Sequence, residues 1–344
     1  MKITELVQKY DPSNQFEVLK NTYKQIEFAW NNEIDLSSIK KKGIESVVVT
    51  GLGGSAMSGD LFVNFFKEEL DIPFFVNRSY TLPKFVNKNT LLVVSSYSGN
   101  TEETISVFTS ALKKKCRIVC ITSGGKIEKI AEKNKIPVVK IIPGFHPRYA
   151  LGISFFSLLK VMNKLKIVKV NPSLVNSIIK LYKEKANLFS KDKNPAIDLA
   201  EKLLGYIPII YSAEGYTSSV GYRLKCQFNE NSKLNAFQNI LPEMNHNEIV
   251  GWESFNENQF KTKVINIIDK DYPTQIKKRF KITSDIFSGN NIDVINLESS
   301  EKSFKVRLMD LIFLSDWITY YTGVLRGFDP AEIKNIDLLK NSLK

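Results

Sequence analysis

The sequence of 344 residues is poor in cysteine and has no long apolar run. Its three cysteines, Cys116, Cys120 and Cys226, include no CxxC pair, which is typical of a reducing cytoplasm and argues against a disulfide framework. No apolar stretch approaches the ~20 residues that a membrane helix needs, and the first residues mix charges with isolated apolar side chains. We therefore expect a cytoplasmic protein with neither a signal peptide nor contact with a membrane.

Histidine is also scarce, since His146 and His246 are the two histidines of the chain. Together with the three cysteines they form no recognisable set of zinc ligands, so we expect no bound metal. Positive charge is plentiful by comparison, because 48 lysines and arginines face 36 acidic residues and give a net charge of +12. The lysines are scattered, and no basic helix with interleaved aromatic residues occurs. We therefore expect no nucleic-acid partner.

Short β-branched runs alternate with helical patterns through most of the chain. The predicted strands are 47–50, 72–76, 91–95, 117–122 and 138–141 in the first half, and 207–212, 262–268 and 291–295 in the second. The predicted helices between them include 55–67, 101–113, 126–133, 217–230, 273–286 and 304–323. This alternation predicts an α/β fold with two tandem domains, each a doubly wound parallel sheet flanked by helices.

The same pattern predicts where the domains begin and end. We expect a helical N-terminal arm at 1–42, a first domain at 43–165, a helical linker at 166–195 and a second domain at 196–344. Apolar residues at three- and four-residue spacing predict that the arm is helical, and we expect it to pack on the first domain.

The turn after the first predicted strand, GLGGS at 51–55, is rich in glycine. It is not a dinucleotide fingerprint, because Ala56 stands at the third glycine position and Asn77 and Arg78, rather than an acid, follow the next strand. It also lacks the Gly-Lys-Ser/Thr of a phosphate-binding P-loop. We therefore expect no nucleotide cofactor. Taken alone, the turn equally fits a tight strand-to-helix connection capped by Ser55.

The turn after the third predicted strand, SYSGNT at 96–101, carries three hydroxyl groups around a glycine. A simple turn needs one capping hydroxyl, whereas three hydroxyls beside the unpaired N–H groups of a helix N-terminus suit a phosphate monoester. The two turns together predict a phosphate cradle without a metal. Its predicted members are Gly54, Ser55, Ser96, Ser98 and Thr101.

The pattern S-x-S-G-x-T after a strand resembles the signature of sugar isomerase (SIS) domains, which bind phosphosugars. From about residue 45 to its end, the chain resembles the bifunctional phosphoglucose/phosphomannose isomerases, a tandem SIS-domain family. The resemblance rests on the two turns and on Pro147-Arg148-Tyr149-Ala150, Asn229-Glu230-Asn231, Asn245-His246-Asn247-Glu248, Asp329-Pro330, and Ile336-Asp337 with Leu339-Lys340.

The resemblance implies an isomerase without a cofactor that interconverts glucose 6-phosphate and fructose 6-phosphate through a cis-enediol. Mannose 6-phosphate is a second candidate substrate, although Ala331 stands where the family commonly has threonine. By resemblance, Glu230 is the proton-transfer base, His246 and Lys340 open the sugar ring, and Arg148 stabilises the enediolate. A homodimer is also implied, with each site between two domains and its histidine supplied by the partner subunit.

The residue types alone leave other interpretations open. A glutamate near a helix end, a loop histidine and a tail lysine are most often simply exposed to solvent. A sugar-phosphate-sensing regulator, or an SIS isomerase for another phosphosugar, would share the same cradle. Residues 1–42 are too short and poorly patterned for a three-helix DNA-binding module, which favours the enzyme. Glu243 and Glu248 flank His246 and are candidates to orient it.

Overall fold

The computed structural model describes residues 3–255 and 260–343, which fold into two compact units. One unit comprises residues 22–180, and the other joins the residues before Thr22 to those after Lys180. The domain boundaries at 42, 165 and 195 stay a prediction.

Helices contribute more residues than strands to both units. In chain order the helices of the described residues are α1 (Ile3–Tyr10), α2 (Gln15–Lys20), α3 (Thr22–Asn31), α4 (Gly54–Phe65), α5 (Glu102–Lys113), α6 (Gly125–Lys133), α7 (Leu151–Lys164), α8 (Pro172–Phe189), α9 (Pro195–Lys202), α10 (Ser218–Ser232), α11 (Glu248–Gly251), α12 (Thr274–Gly289), α13 (Phe304–Leu325) and α14 (Lys334–Ser342). Short 3₁₀ turns lie at Pro147–Ala150, Glu243–His246 and Trp252–Ser254. Across the described parts of the chain, no helix has the length and apolar character needed to cross a lipid bilayer.

The unit of residues 22–180 is built around a parallel sheet with five strands in the described chain. They are β1 (Ser46–Thr50), β2 (Phe74–Asn77), β3 (Thr90–Ser95), β4 (Arg117–Thr122) and β5 (Val138–Lys140). The order is β2-β1-β3-β4-β5, and residues 47–49 and 91–94 are wholly buried, as expected for parallel strands covered on both faces. Because the order reverses between β1 and β3, the loops after these two strands flank the crevice where such sheets bind ligands.

The other unit contains a smaller parallel sheet, with four strands among the described residues. They are β6 (Ile207–Ala213), β7 (Phe237–Leu241), β8 (Thr262–Ile267) and β9 (Val294–Leu297), in the order β7-β6-β8-β9. Strand β7 is absent from the sequence prediction, since Gln238 and Asn239 interrupt its apolar pattern and pairing with β6 defines it. The prediction of an α/β fold with two parallel sheets flanked by helices is confirmed.

Helix α13 forms the core of this second unit and is buried nearly all round. Helix α10 packs against it through buried polar groups. The Arg223 guanidinium donates to both carboxylate oxygens of Asp316 at 2.9 Å, and Gln227 donates to the same carboxylate at 3.0 Å. Removing one member of such a buried pair typically costs about 3–5 kcal/mol, so this contact fixes α10 firmly against α13.

The beginning of the chain differs from the expectation that its helical arm packs on the first domain. The rings of Phe16 and Trp317 on α13 are nearly perpendicular with their centres 5.4 Å apart, and the Tyr320 hydroxyl donates to Asp11 at 2.8 Å. Helices α1 and α2 therefore belong to the unit that contains α13. Helix α3 instead packs on α7, and Gln25 donates at 2.9 Å to the Tyr149 carbonyl in the 3₁₀ turn just before α7. Apolar spacing identifies the buried face of a helix but not the element that covers it.

Candidate functional site

The two turns of the predicted phosphate cradle are joined by a direct hydrogen bond. The Tyr97 N–H, just after β3, donates to the Ser55 hydroxyl at 3.3 Å. Helix α4 begins after Gly53, which has a φ of +52°, so Ser55 lies inside the helix and does not cap it. A serine cap is therefore the wrong interpretation of this turn. The Ser55 hydroxyl instead links the glycine turn to the hydroxyl turn.

The hydroxyl turn after β3 directs its side chains around the start of α5. The Ser96 and Thr101 hydroxyls lie 2.9 Å apart, and the Asn100 N–H donates to the Ser98 hydroxyl at 3.2 Å. Thr101 is the N-cap residue of α5, yet its side chain bonds to none of the described N–H groups of that helix. The first turn of α5 therefore lacks a side-chain cap from Thr101, an arrangement that suits an anionic ligand.

The segments after β4 and β5 form hydrogen bonds with the hydroxyl turn. The Ser123 hydroxyl donates to the Tyr97 carbonyl at 2.6 Å, and the Ile127 N–H donates to the Gly99 carbonyl at 3.0 Å. The Tyr97 phenol donates to the Ile142 carbonyl at 2.9 Å and accepts from the Phe145 N–H at 2.8 Å. These bonds hold the turn in one shape before any ligand binds. Such preorganisation lowers the free-energy cost of binding.

Arg148 is brought against the glycine turn by the 3₁₀ turn Pro147–Ala150. A Cβ on Gly54 would lie 2.5 Å from the Pro147 carbonyl oxygen, so the close approach requires glycine at position 54. Arg148 is buried, with its guanidinium 5.3 Å from the centre of the Tyr149 ring. The structure thus gathers Arg148 and the five predicted cradle residues within one unit.

Glu230 lies in the last turn of α10, as predicted, and is half-buried. Its neighbours fix this helix end, because Asn231 donates to the Thr319 hydroxyl at 3.1 Å and Asn229 accepts from the Ala236 N–H at 3.2 Å. One turn earlier, burial raises the pKa of the Cys226 thiol, and the charge of Glu230 adds to that rise.

The chain after α13 returns to this end of α10. The Lys233 ammonium donates to the Asp329 carbonyl, and Arg326 donates to the Ser232 carbonyl at 3.1 Å. The Ala331 N–H donates to the Asp329 carboxylate at 2.7 Å, and Ala331 itself is buried. The position at which this chain departs from the family pattern therefore lies in the segment beside the helix end that carries Glu230.

His246 and Lys340 are both exposed. His246 ends the 3₁₀ turn Glu243–His246, in a run that the sequence predicted to be non-helical. Lys340 lies on α14, a helix that the sequence prediction missed and whose described residues are all at least partly exposed. Within residues 3–255 and 260–343, neither side chain forms a hydrogen bond or ion pair with Glu230. The structure thus places these three residues in the same unit but does not link them.

Two further observations concern other ligands. Among the described residues, no group of three His, Cys, Asp or Glu side chains is arranged to hold a metal ion. A cavity of about 660 Å³ is lined by residues that include Lys88, Lys115, Arg117 and Lys135. These residues precede or begin β3, β4 and β5, so the cavity lies at the amino ends of the strands. The cradle lies at their carboxyl ends.

Two regions of the chain match known families of phosphosugar-related domains. Residues 39–142 match the SIS domain family, and residues 192–343 match the bacterial phospho-glucose isomerase C-terminal SIS domain. A crystal structure of a hypothetical protein from Thermus thermophilus has the same fold, with a TM-score of 0.74 at 14% identity, over 99% of this chain and 92% of that one. Together with the two parallel sheets, these matches define a protein with two SIS domains.

Two curated relatives identify the family. A bifunctional phosphoglucose/phosphomannose isomerase of Caldicellulosiruptor bescii is 38% identical over 333 residues, which cover 95% of this chain and 98% of that protein. One from Aquifex aeolicus is 34% identical over 332 residues, covering 95% and 99%. The chain belongs to the bifunctional phosphoglucose/phosphomannose isomerase family.

Proposed function

We propose that this protein is an aldose–ketose isomerase that interconverts glucose 6-phosphate and fructose 6-phosphate, and also acts on mannose 6-phosphate. The observation that supports the proposal is the pair of turns at the ends of β1 and β3. The Ser96 and Thr101 hydroxyls lie 2.9 Å apart at the start of α5, and the Ser55 hydroxyl bonds to the same turn. Membership of the family and the names of its curated relatives support the choice of hexose 6-phosphates.

In the proposed mechanism the cradle holds the phosphate away from the reacting carbons, so that its binding energy orients the sugar. His246 and Lys340 exchange the protons that open the cyclic sugar. The Glu230 carboxylate then removes the proton from C2 of the open aldose and returns it to C1, while a proton moves between the two oxygens of the enediolate. Arg148 stabilises the negative charge of this intermediate. No other reactant is consumed.

We further propose that the protein is a cytoplasmic homodimer, with each site completed by His246 of the partner subunit. The exposed imidazole of His246, which forms no hydrogen bond within the described chain, supports its use outside its own subunit. The free thiols of Cys116, Cys120 and Cys226 support a reducing compartment.

A coupled assay that starts from fructose 6-phosphate, run with and without EDTA, tests the proposed activity. Glucose 6-phosphate should form at the same rate in both. A folded protein that binds hexose 6-phosphates without turnover would instead be a sugar-phosphate sensor. A panel that includes mannose and glucosamine 6-phosphates, followed by NMR, separates the proposed reaction from that of an isomerase for another phosphosugar. It also measures how Ala331 affects the mannose epimer.

A further inference from the structure

The loop that carries His246 is anchored to its own unit on both sides of the histidine. On one side, Asn245 contacts helix α12, because its amide donates to the Thr283 hydroxyl at 3.0 Å and accepts from Arg279 at 3.3 Å. On the other side, Glu248 contacts the sheet. The exposed imidazole between these anchors has no bond of its own to the described chain, so the backbone determines where it lies.

The Glu248 anchor depends on the register of two parallel strands. Tyr211 on β6 and Asn239 on β7 are paired residues, so their side chains stand next to each other on one face of the sheet. The Tyr211 hydroxyl donates to one oxygen of the Glu248 carboxylate at 2.5 Å, and the Asn239 amide donates to the other at 2.5 Å. The sheet thus presents two donors that match the two oxygens of one carboxylate.

The surroundings of Tyr211 keep this anchor in place. Its ring is fully buried and stacks on Phe287, with ring centres 5.5 Å apart, and the Trp252 indole N–H donates to its hydroxyl oxygen at 3.0 Å. Burial raises the pKa of the Tyr211 phenol, and the hydrogen bond to Glu248 raises it further, so the hydroxyl stays protonated and remains a donor.

The other acidic residue of the loop makes a different contact. Glu243 is exposed and accepts from the Asn247 amide at 2.9 Å, so it joins the loop to itself. Glu248 joins the loop to the sheet. The two residues flank His246 in the sequence, and the sequence alone does not distinguish them.

We propose that Glu248, held by Tyr211 and Asn239, is the positioning residue for His246. This inference rests on the proposed role of His246 in ring opening. Proton exchange with the sugar requires the imidazole at hydrogen-bond distance, and a misplacement of about 1 Å can reduce a rate by about 100-fold. Glu248 does not touch the substrate and acts by fixing the loop that presents the histidine.

A double-mutant cycle with Glu248→Gln, His246→Ala and the combined variant tests the proposal. With His246 present, Glu248→Gln should lower kcat on glucose 6-phosphate by about 10- to 100-fold and change KM by less than about twofold. With His246 already replaced, it should lower kcat by less than about twofold, since nothing is left to position. Independent, multiplicative losses would overturn the proposal, because they indicate a structural role only.

Glu243→Gln is the matched control. This change removes one negative charge from the same loop but leaves the bonds between Glu248 and the sheet intact. It should change kcat by less than about twofold. If Glu248→Gln does not fold, Asn239→Ala, which removes one of the two donors, takes its place in the cycle with the same criterion.

The cycle also separates this proposal from the proposed function. An unchanged kcat in His246→Ala would overturn both the positioning role of Glu248 and the role of His246. The proposed isomerisation would still be judged by turnover of fructose 6-phosphate in the unmodified protein.

Discussion

Glu230 is the single residue on which the proposed chemistry depends most directly. Glu230→Gln keeps the shape of the side chain and removes its basicity. We expect kcat on fructose 6-phosphate to fall by about 100- to 10,000-fold, which is the contribution of a positioned general base. Calorimetry should show that the affinity for glucose 6-phosphate changes by less than about threefold, because the cradle lies on other elements.

The exposed residue Glu201 on α9 provides a control, and Glu201→Gln should leave both quantities unchanged. If Glu230→Gln weakens binding but retains normal turnover at saturating substrate, the role of proton-transfer base belongs to another residue.

Ser98 tests the phosphate handle at the same scale. It is the exposed hydroxyl of the cradle, whereas Ser96 is buried against Thr101. Removing one hydrogen bond to a charged phosphate costs about 1.5–3 kcal/mol, so Ser98→Ala should raise the KM for fructose 6-phosphate by about 10- to 100-fold. Ser177→Ala on α8, whose hydroxyl bonds to the Ser173 carbonyl, should leave KM unchanged. An equal KM in both variants would remove Ser98 from the phosphate site.

At the scale of elements, the connection between β3 and α5 requires glycine at position 99. Gly99 has a φ of +66°, and a Cβ there would overlap the Gly124 carbonyl oxygen in the loop after β4. Gly99→Ala should therefore lower the free energy of unfolding by about 3 kcal/mol, measured by urea denaturation, because backbone strain and steric overlap add.

Gly215→Ala separates these two effects. Gly215 has a similar φ of +69°, but nothing lies within 4 Å of a Cβ there. Strain alone should cost about 1 kcal/mol at this position. Equal losses of unfolding free energy in the two variants would mean that the Gly124 loop moves aside at no energetic cost. The contact with Gly124 would then not hold the hydroxyl turn.

The sequence was sufficient to predict elements whose signals are local. The strands of the first sheet are continuous apolar runs, and glycine and hydroxyl residues mark its two ligand-side turns. Strand β7 was missed because its polar residues Gln238 and Asn239 interrupt the apolar pattern, and only pairing with β6 shows that they belong to a strand. Helix α14 was also missed, and its described residues bury no face against the rest of the described chain.

Some residues of the candidate site could be predicted from local sequence, and others could not. The cradle follows from the chemistry of adjacent residues, and its members lie on two turns that the Tyr97–Ser55 hydrogen bond joins. Glu230, His246 and Lys340 are ordinary surface residue types, and resemblance to a family, rather than any local pattern, singled them out. The Tyr211–Asn239 pair that holds Glu248 was unpredictable, because neighbours on parallel strands are separated by a whole crossover connection.

At the scale of the whole molecule, the proposed exchange of histidines can be tested by mixing two inactive variants. Glu230→Gln and His246→Ala each damage both sites of their own homodimer. After subunit exchange, half of the dimers should be mixed, and each mixed dimer should contain one intact site. The mixture should therefore recover about a quarter of the wild-type activity, measured with fructose 6-phosphate.

One further mixture and the unmixed variants serve as references for this experiment. Glu230→Gln mixed with Lys340→Ala should show recovery only if Lys340 also acts across the dimer. Each variant incubated alone should stay inactive. If the first mixture remains inactive although light scattering shows a dimer and native mass spectrometry shows mixed dimers, each site uses the histidine of its own chain.

The position of β7 at the edge of its sheet has a consequence for how the protein responds to heat. An edge strand opens locally at a lower free energy than the whole molecule unfolds. Here that strand carries Asn239 and leads into the loop of His246. Partial fraying of one outer strand would release the histidine while the rest of the protein stays folded. The free energy at which this strand opens, which amide exchange measures, would then set the upper working temperature of the enzyme. The melting of the core would not set it.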